Sequence, residues 1–142
     1  MAHLAFLYAR DLSVKVGYPV LQPHYFPVLQ DKYVTFHNSD KCASKSFSYW
    51  EDVLKILKPE FEKRDIKIFQ IGEGPDKKIN GVDEFYNFTS FKQSAYLIQN
   101  SQAHFGIDSA PIHIASALNK PTVSIYAHTY ASTCDPLWNK GK

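Results

Sequence analysis

The sequence predicts an α/β domain built on a Rossmann-like, doubly wound parallel sheet of about five strands. Three observations lead there. Short apolar runs alternate with helical stretches at nearly every step from Tyr33 to Tyr126, which calls for a parallel sheet with helices on both faces. Residues 103–126, AHFGIDSAPIHIASALNKPTVSIY, read as strand, turn, short helix, stop and strand, a compact βαβ unit. No internal repeat or low-complexity tract competes with that reading. For five strands the expected order is 3-2-1-4-5 with right-handed crossovers, which opens a ligand crevice between the first and fourth strands at their carboxyl ends.

The elements follow in order. Leu4, Leu7, Tyr8 and Leu12 give Ala2 to Leu12 a helical period. Gly17 to Asp31 carries three prolines, which exclude a regular helix and suit an extended connector. Residues 1–31 are therefore expected to be a leading helix and an inter-domain connector, as though a further body preceded them, and residues 32–142 the domain itself. Tyr33 to His37 is a strand, followed by a polar loop through Asp40 to Ser46. Ser48 to Glu51 matches a capping box, opening a helix with an inward stripe of Trp50, Val53, Leu54 and Leu57 that Pro59 should kink or end. Ile66 to Ile71 is a strand closed by the turn Gly72 to Pro75, and Val82 to Phe88 holds a weaker one. Ser90 and Gln93 form a second capping box, with Phe91, Ala95, Leu97 and Ile98 turned toward a core. Asp108 or Ser109 caps the helix before Pro111, Pro121 forbids its continuation, and the tail from His128 is irregular.

Composition narrows the function. The chain has 142 residues, 44% apolar and 21% charged, and its net charge of +2 is too small for a nucleic-acid binder. No apolar run approaches the roughly 20 residues of a membrane span, and the N-terminus lacks the features of a signal peptide, so a cytosolic protein is expected. Cys42 and Cys134 have no metal or redox spacing and read as reduced thiols. P-loop, dinucleotide and nucleophile-elbow motifs are all missing, which removes P-loop NTPases, the usual dinucleotide oxidoreductases and α/β-hydrolases.

Two loops line the expected crevice. The first offers Ser39, Ser44, Lys45 and Ser46, the second Ser109 and the unpaired N–H groups of a helix start, together a cradle for a phosphate or diphosphate. Asp108 serves as an N-cap or touches a ligand. His113, four residues beyond Ser109, faces the crevice or packs on the sheet. Asp76 takes a ribose hydroxyl or is a solvated turn residue. No metal site is expected, because His104, Asp108 and His113 follow no ligand spacing.

The stretch from Phe105 to Tyr126, FGIDSAPIHIASALNKPTVSIY, resembles the segment of glycosyltransferase family 9, the lipopolysaccharide heptosyltransferases, in which Asp-Ser-Gly-Pro-x-His precedes a small-residue helix, a proline and a strand. Tyr33 to Ser39 is similar to that family's strand ending in His-Pro-Gly, Lys45 to its loop lysine, and Gly72 to Asp76 to its Gly-x-x-x-Glu turn. The resemblance implies the C-terminal, donor-binding domain of a two-domain GT-B enzyme. As a whole, that enzyme would transfer a sugar with inversion from an ADP- or UDP-sugar to a saccharide or lipid-linked acceptor, in the cytoplasm at the inner face of a membrane. Lys45 with Ser39, Ser44 and the Ser109-Ala110 backbone would then hold the donor diphosphate, without a metal or other cofactor. Asp108 would fix that loop or touch the donor, His113 would border it and Asp76 would stand in for a ribose-binding Glu, while the general base would lie on the N-terminal domain. Ala110 stands where the family has glycine, which predicts a changed backbone or a looser site if positive φ is needed there. A nucleotide-sugar epimerase fragment and a non-catalytic nucleotide-sugar-binding module are the other readings, and an exposed cleft face would invite self-association.

Overall fold

A computed structural model describes residues 2–39, 42–74 and 76–138. Asp40 and Lys41 of the first loop, Pro75 of the second turn and the last four residues of the tail lie outside the described residues. Five parallel strands run β1 (Tyr33–His37), β2 (Lys67–Ile71), β3 (Glu84–Tyr86), β4 (His104–Ile107) and β5 (Thr122–Ile125), paired in the order β3-β2-β1-β4-β5. That is the order expected from the alternation of strand and helix.

Each central strand sends alternate residues to opposite faces. Val34 and Phe36 of β1, Ile68 of β2 and Phe105 and Ile107 of β4 form one core with α2 (Trp50–Glu62), whose Trp50 packs edge-on against Phe36 with ring centroids 4.8 Å apart. On the other face Ile71 meets Ala95, Leu97 and Ile98 of α3 (Phe91–Asn100) and Ile114 and Ala115 of α4 (Ala110–Ala117). The Tyr33 hydroxyl donates to the Leu97 carbonyl at 2.9 Å on that side. Gly106 lies where β4 presses on β1: a Cβ there would sit 2.2 Å from the His37 carbonyl oxygen, so only glycine allows this pairing.

The leading helix α1 (Leu4–Asp11) forms as expected but buries none of its residues. The connector that follows lies on the domain, with Leu21, Phe26 and Val28 packed against the α3/α4 core and the His24 N–H bonded to the Lys92 carbonyl at 3.0 Å.

Several local expectations fail for identifiable reasons. The first capping box does not form: α2 is capped at Tyr49 without a side-chain bond, and the Glu51 carboxylate instead accepts from Asn80 Nδ2 at 2.9 Å. Trp50, buried at the start of the helix, sets where α2 begins. Of the two outcomes expected at Pro59, ending the helix does not occur: α2 continues to Glu62, with Phe61 held on the core. The second capping box forms with both of its bonds. The tail is not wholly irregular, since Ala131–Cys134 make a short helix, α5. Both cysteines are free thiols.

Candidate functional site

The crevice opens where the topology requires, beyond the carboxyl ends of β1, β2 and β4. It holds a cavity of about 630 Å³ bounded by Ser109 and Ala110 after β4, His37 at the end of β1 and Ser39 after it, Asp76 after β2, and Phe91 at the start of α3.

The turn from β4 into α4 is built from Asp108 and Ser109. Ser109 occupies the N-cap position with an extended backbone, but its side chain makes no capping bond. Its hydroxyl lies 2.9 Å from His37 Nδ1 and 3.3 Å from the Ile107 carbonyl, so it bridges the ends of β1 and β4. Pro111 has no N–H and the Ile112 N–H donates to the Ser109 carbonyl at 3.2 Å, so the α4 start offers an anion the Ala110 N–H and the positive end of the helix dipole. Pro111 sits in the first helical turn, where its missing N–H costs nothing.

Asp108 is not a plain N-cap. The residue is 4% exposed, and its carboxylate accepts a 2.7 Å bond from the Thr129 hydroxyl. Lys45 Nζ stands 3.4 Å from the same carboxylate and donates to the Asp108 carbonyl at 3.2 Å, while His113 Nε2 lies 3.6 Å from the other carboxylate oxygen. A buried carboxylate needs such partners, since an unpaired one would shift its protonation or unfold the turn. Burial pushes the His113 imidazole below its ordinary pKa, with the Asp108 carboxylate pulling it part of the way back. His113 therefore lies beside the Asp108 carboxylate and is not among the residues lining the cavity.

The opposite wall is more open. Asp76 accepts a short hydrogen bond from the Ser39 hydroxyl and a 2.7 Å bond from the Glu73 N–H, which fold the β2 turn back toward β1. Asp76 is thus tied to the loop after β1 as well as to its own turn, and Ser39 is engaged with it. Ser44 is exposed, with its hydroxyl 3.0 Å from Cys42 Sγ, and is not part of the cavity lining. The structure divides the expected cradle in two: Ser39, Asp76, Ser109 and Ala110 line the cavity, whereas Lys45, Asp108 and His113 gather behind the α4 turn. Ala110 begins α4 and is not among the described residues with positive φ, so alanine in place of glycine strains nothing and only adds a methyl group to the cavity wall.

Three contributors escaped the sequence reading. His37 opens the first crevice-lining loop, residues 37–46, but carries no role of its own in the sequence reading. Thr129 lies in the loop after β5, which the rule that ligands bind beyond the carboxyl ends of strands would have marked. Phe91, expected in the core, is 57% exposed and stands at the cavity. Among the described residues no group of three or more His, Cys, Asp or Glu is placed to hold a metal ion, and no helix is long and apolar enough to cross a membrane.

Residues 84–142 match the sequence model of glycosyltransferase family 9 (heptosyltransferase), while a comparison with curated protein sequences gives no match. Among solved structures, the ADP-heptose lps heptosyltransferase II of E. coli shares the fold with a TM-score of 0.65 at 16% identity, over 95% of this chain and 40% of that one. E. coli heptosyltransferase WaaC with ADP gives 0.64 at 16% identity over 91% and 44%. The dodecameric iron-containing heptosyltransferase TibC, from enterotoxigenic E. coli and solved with ADP-D-beta-D-heptose, gives 0.67 at 18% identity over 86% and 35%. This chain spans less than half the length of each. The family-9 match thus rests on residues 84–142, while the chain as a whole shares the α/β Rossmann-like fold of the GT-B heptosyltransferases.

Proposed function

We propose that this chain is the donor-binding part of an inverting glycosyltransferase, taking a nucleotide-sugar such as an ADP- or UDP-sugar and passing its sugar to a saccharide or lipid-linked acceptor at the cytoplasmic face of a membrane. The observation that carries this reading is the cavity across the β1/β4 switch point, with the uncapped start of α4 at one end and Asp76 at the other. The Ala110 N–H and the positive end of the α4 dipole suit the donor diphosphate, whose charge grows as the sugar leaves. Lys45, held at the Asp108 carbonyl, brings a cation to the same turn. Asp108 would repel a phosphate if isolated, but Lys45 offsets its charge and the Thr129 hydroxyl holds it in the turn. Asp76 suits a ribose hydroxyl, which would replace or share the bond from Ser39. The reading assigns the diphosphate's charge to these groups rather than to a metal, and the general base to a second domain.

Calorimetric titration with ADP, UDP, GDP and their sugars tests this. Heat of binding is expected with at least one of them, and no sugar transfer by this chain alone. Absence of heat with every one would overturn the donor-site reading.

A further inference from the structure

Among the lining groups that the donor-binding reading leaves without a role is a large apolar ring held in the open. Phe91 is the first residue of α3, and its partners at helical spacing, Ala95 and Ile98, are both buried. At its first turn this stripe runs out of the core, so the ring is 57% exposed at the cavity. It also borders a smaller cavity of about 240 Å³ beside Val20, Leu21 and Gln22 of the connector. An exposed phenyl ring forgoes the burial that normally favours it, and a flat apolar ligand face would recover it.

The order of groups across the crevice says which part of a ligand that face belongs to. Following the sheet from β4 to β1 to β2, the cavity presents the α4 start, then His37 and Ser39, then Gly72, Glu73 and Asp76, and finally the start of α3. Three strand spacings of about 4.8 Å separate β4 from β3, giving the crevice a length of roughly 14 Å. Its two ends differ in charge. The α4 start favours an anion, whereas Glu73 and Asp76 repel one and favour hydroxyl donors. A nucleotide can therefore lie in one direction only, with phosphates at α4, ribose at Asp76 and base beyond it. Beyond Asp76 stands Phe91, with the Thr89 and Ser94 hydroxyls in the same wall, paired to each other at 2.8 Å.

We propose that Phe91 is the stacking wall of a nucleobase subsite formed between the β2 turn and the start of α3, and that it determines which base is accepted; this rests on the donor-binding reading above. A purine offers more ring area than a pyrimidine to such a wall, so the subsite favours a purine nucleotide. Stacking of a base on an aromatic side chain carries enough free energy that removing the ring weakens binding by about tenfold or more. Because the side chain is exposed, its truncation leaves the core intact.

The test is titration of the full chain and its Phe91→Ala and Phe91→Trp variants with ADP, UDP and pyrophosphate, alongside thermal unfolding. The expected result is that F91A weakens ADP about tenfold, weakens UDP less, and leaves pyrophosphate unchanged, while F91W binds ADP at least as tightly as the original chain. An F91A variant that binds ADP normally, with or without a lower melting temperature, overturns the proposal and leaves Phe91 as packing for the connector. Equal weakening of ADP and pyrophosphate overturns it as well, because the ring would then be supporting the whole site. If the unaltered chain binds pyrophosphate but gains nothing from the nucleoside, the subsite falls while the anion site stands. Binding of none of the probes removes the donor-binding reading, and the subsite with it.

Discussion

Asp108 and Asp76 stand on opposite walls of the same crevice, and the fold treats them differently. Asp108 is buried at the end of β4 and receives Thr129, Lys45 and His113 from three other parts of the chain. Asp76, half-buried past the end of β2, is held by the Ser39 hydroxyl and one nearby N–H. A carboxylate taken out of water must be surrounded by donors, and those donors then belong to the fold as much as to the site. A half-exposed carboxylate with local partners can exchange them for a ligand's. The β4/α4 wall is thus fixed, and the β2/α3 wall is adjustable.

Acid should expose this difference most strongly. His104, fully buried on β4 with Nδ1 2.9 Å from the Thr35 hydroxyl, is held by burial, with His37 adding to the effect, at a pKa of about 3 instead of the ordinary 6.5. A depressed histidine is neutral in the fold while the unfolded chain takes up the proton first. Its contribution to stability is therefore present above pH 6.5 and lost progressively as the pH falls toward 3. The loss is expected to reach several kcal/mol, with His113, whose shift has the same direction, contributing below its ordinary pKa. Urea unfolding across that range should show stability falling steeply in the original chain and less steeply in His104→Gln. Equal slopes would deny the fixed wall its sensitivity to acid.

Next in size is Asp108→Ala, which takes the buried carboxylate away from Thr129, Lys45 and His113 and should cost about 2 kcal/mol in urea unfolding. Asp108→Asn, which keeps an oxygen for Thr129, should cost less. If alanine proves as stable as the original, the turn is not held by that carboxylate. The smallest stability effect belongs to the adjustable wall: Asp76→Asn should change stability by no more than about 0.5 kcal/mol yet weaken ADP binding. A large loss of stability there would erase the distinction between the walls.

The strand order and both crevice loops were legible because they depend on periodicity and punctuation. Ser90 and Gln93 read correctly as a cap because only local bonds decide it, whereas Ser48 and Glu51 failed because the tertiary placement of Trp50 outweighed theirs. Lys45 and Asp108 could each be named as candidates, but their contact joins loops 63 positions apart, and spacing along the chain does not encode it. Phe91 was misplaced because helical period marks a stripe without marking where the core beneath it ends.

Gly106 has a consequence for how this sequence can vary. Its neighbours Phe105 and Ile107 face the α2 core, where another apolar side chain of similar volume can repack. At 106 the obstacle is the His37 backbone, which no rotamer can avoid. A saturation library across β4 should therefore recover several residues on either side and glycine alone between them, making position 106 the narrowest point of sequence tolerance along that strand.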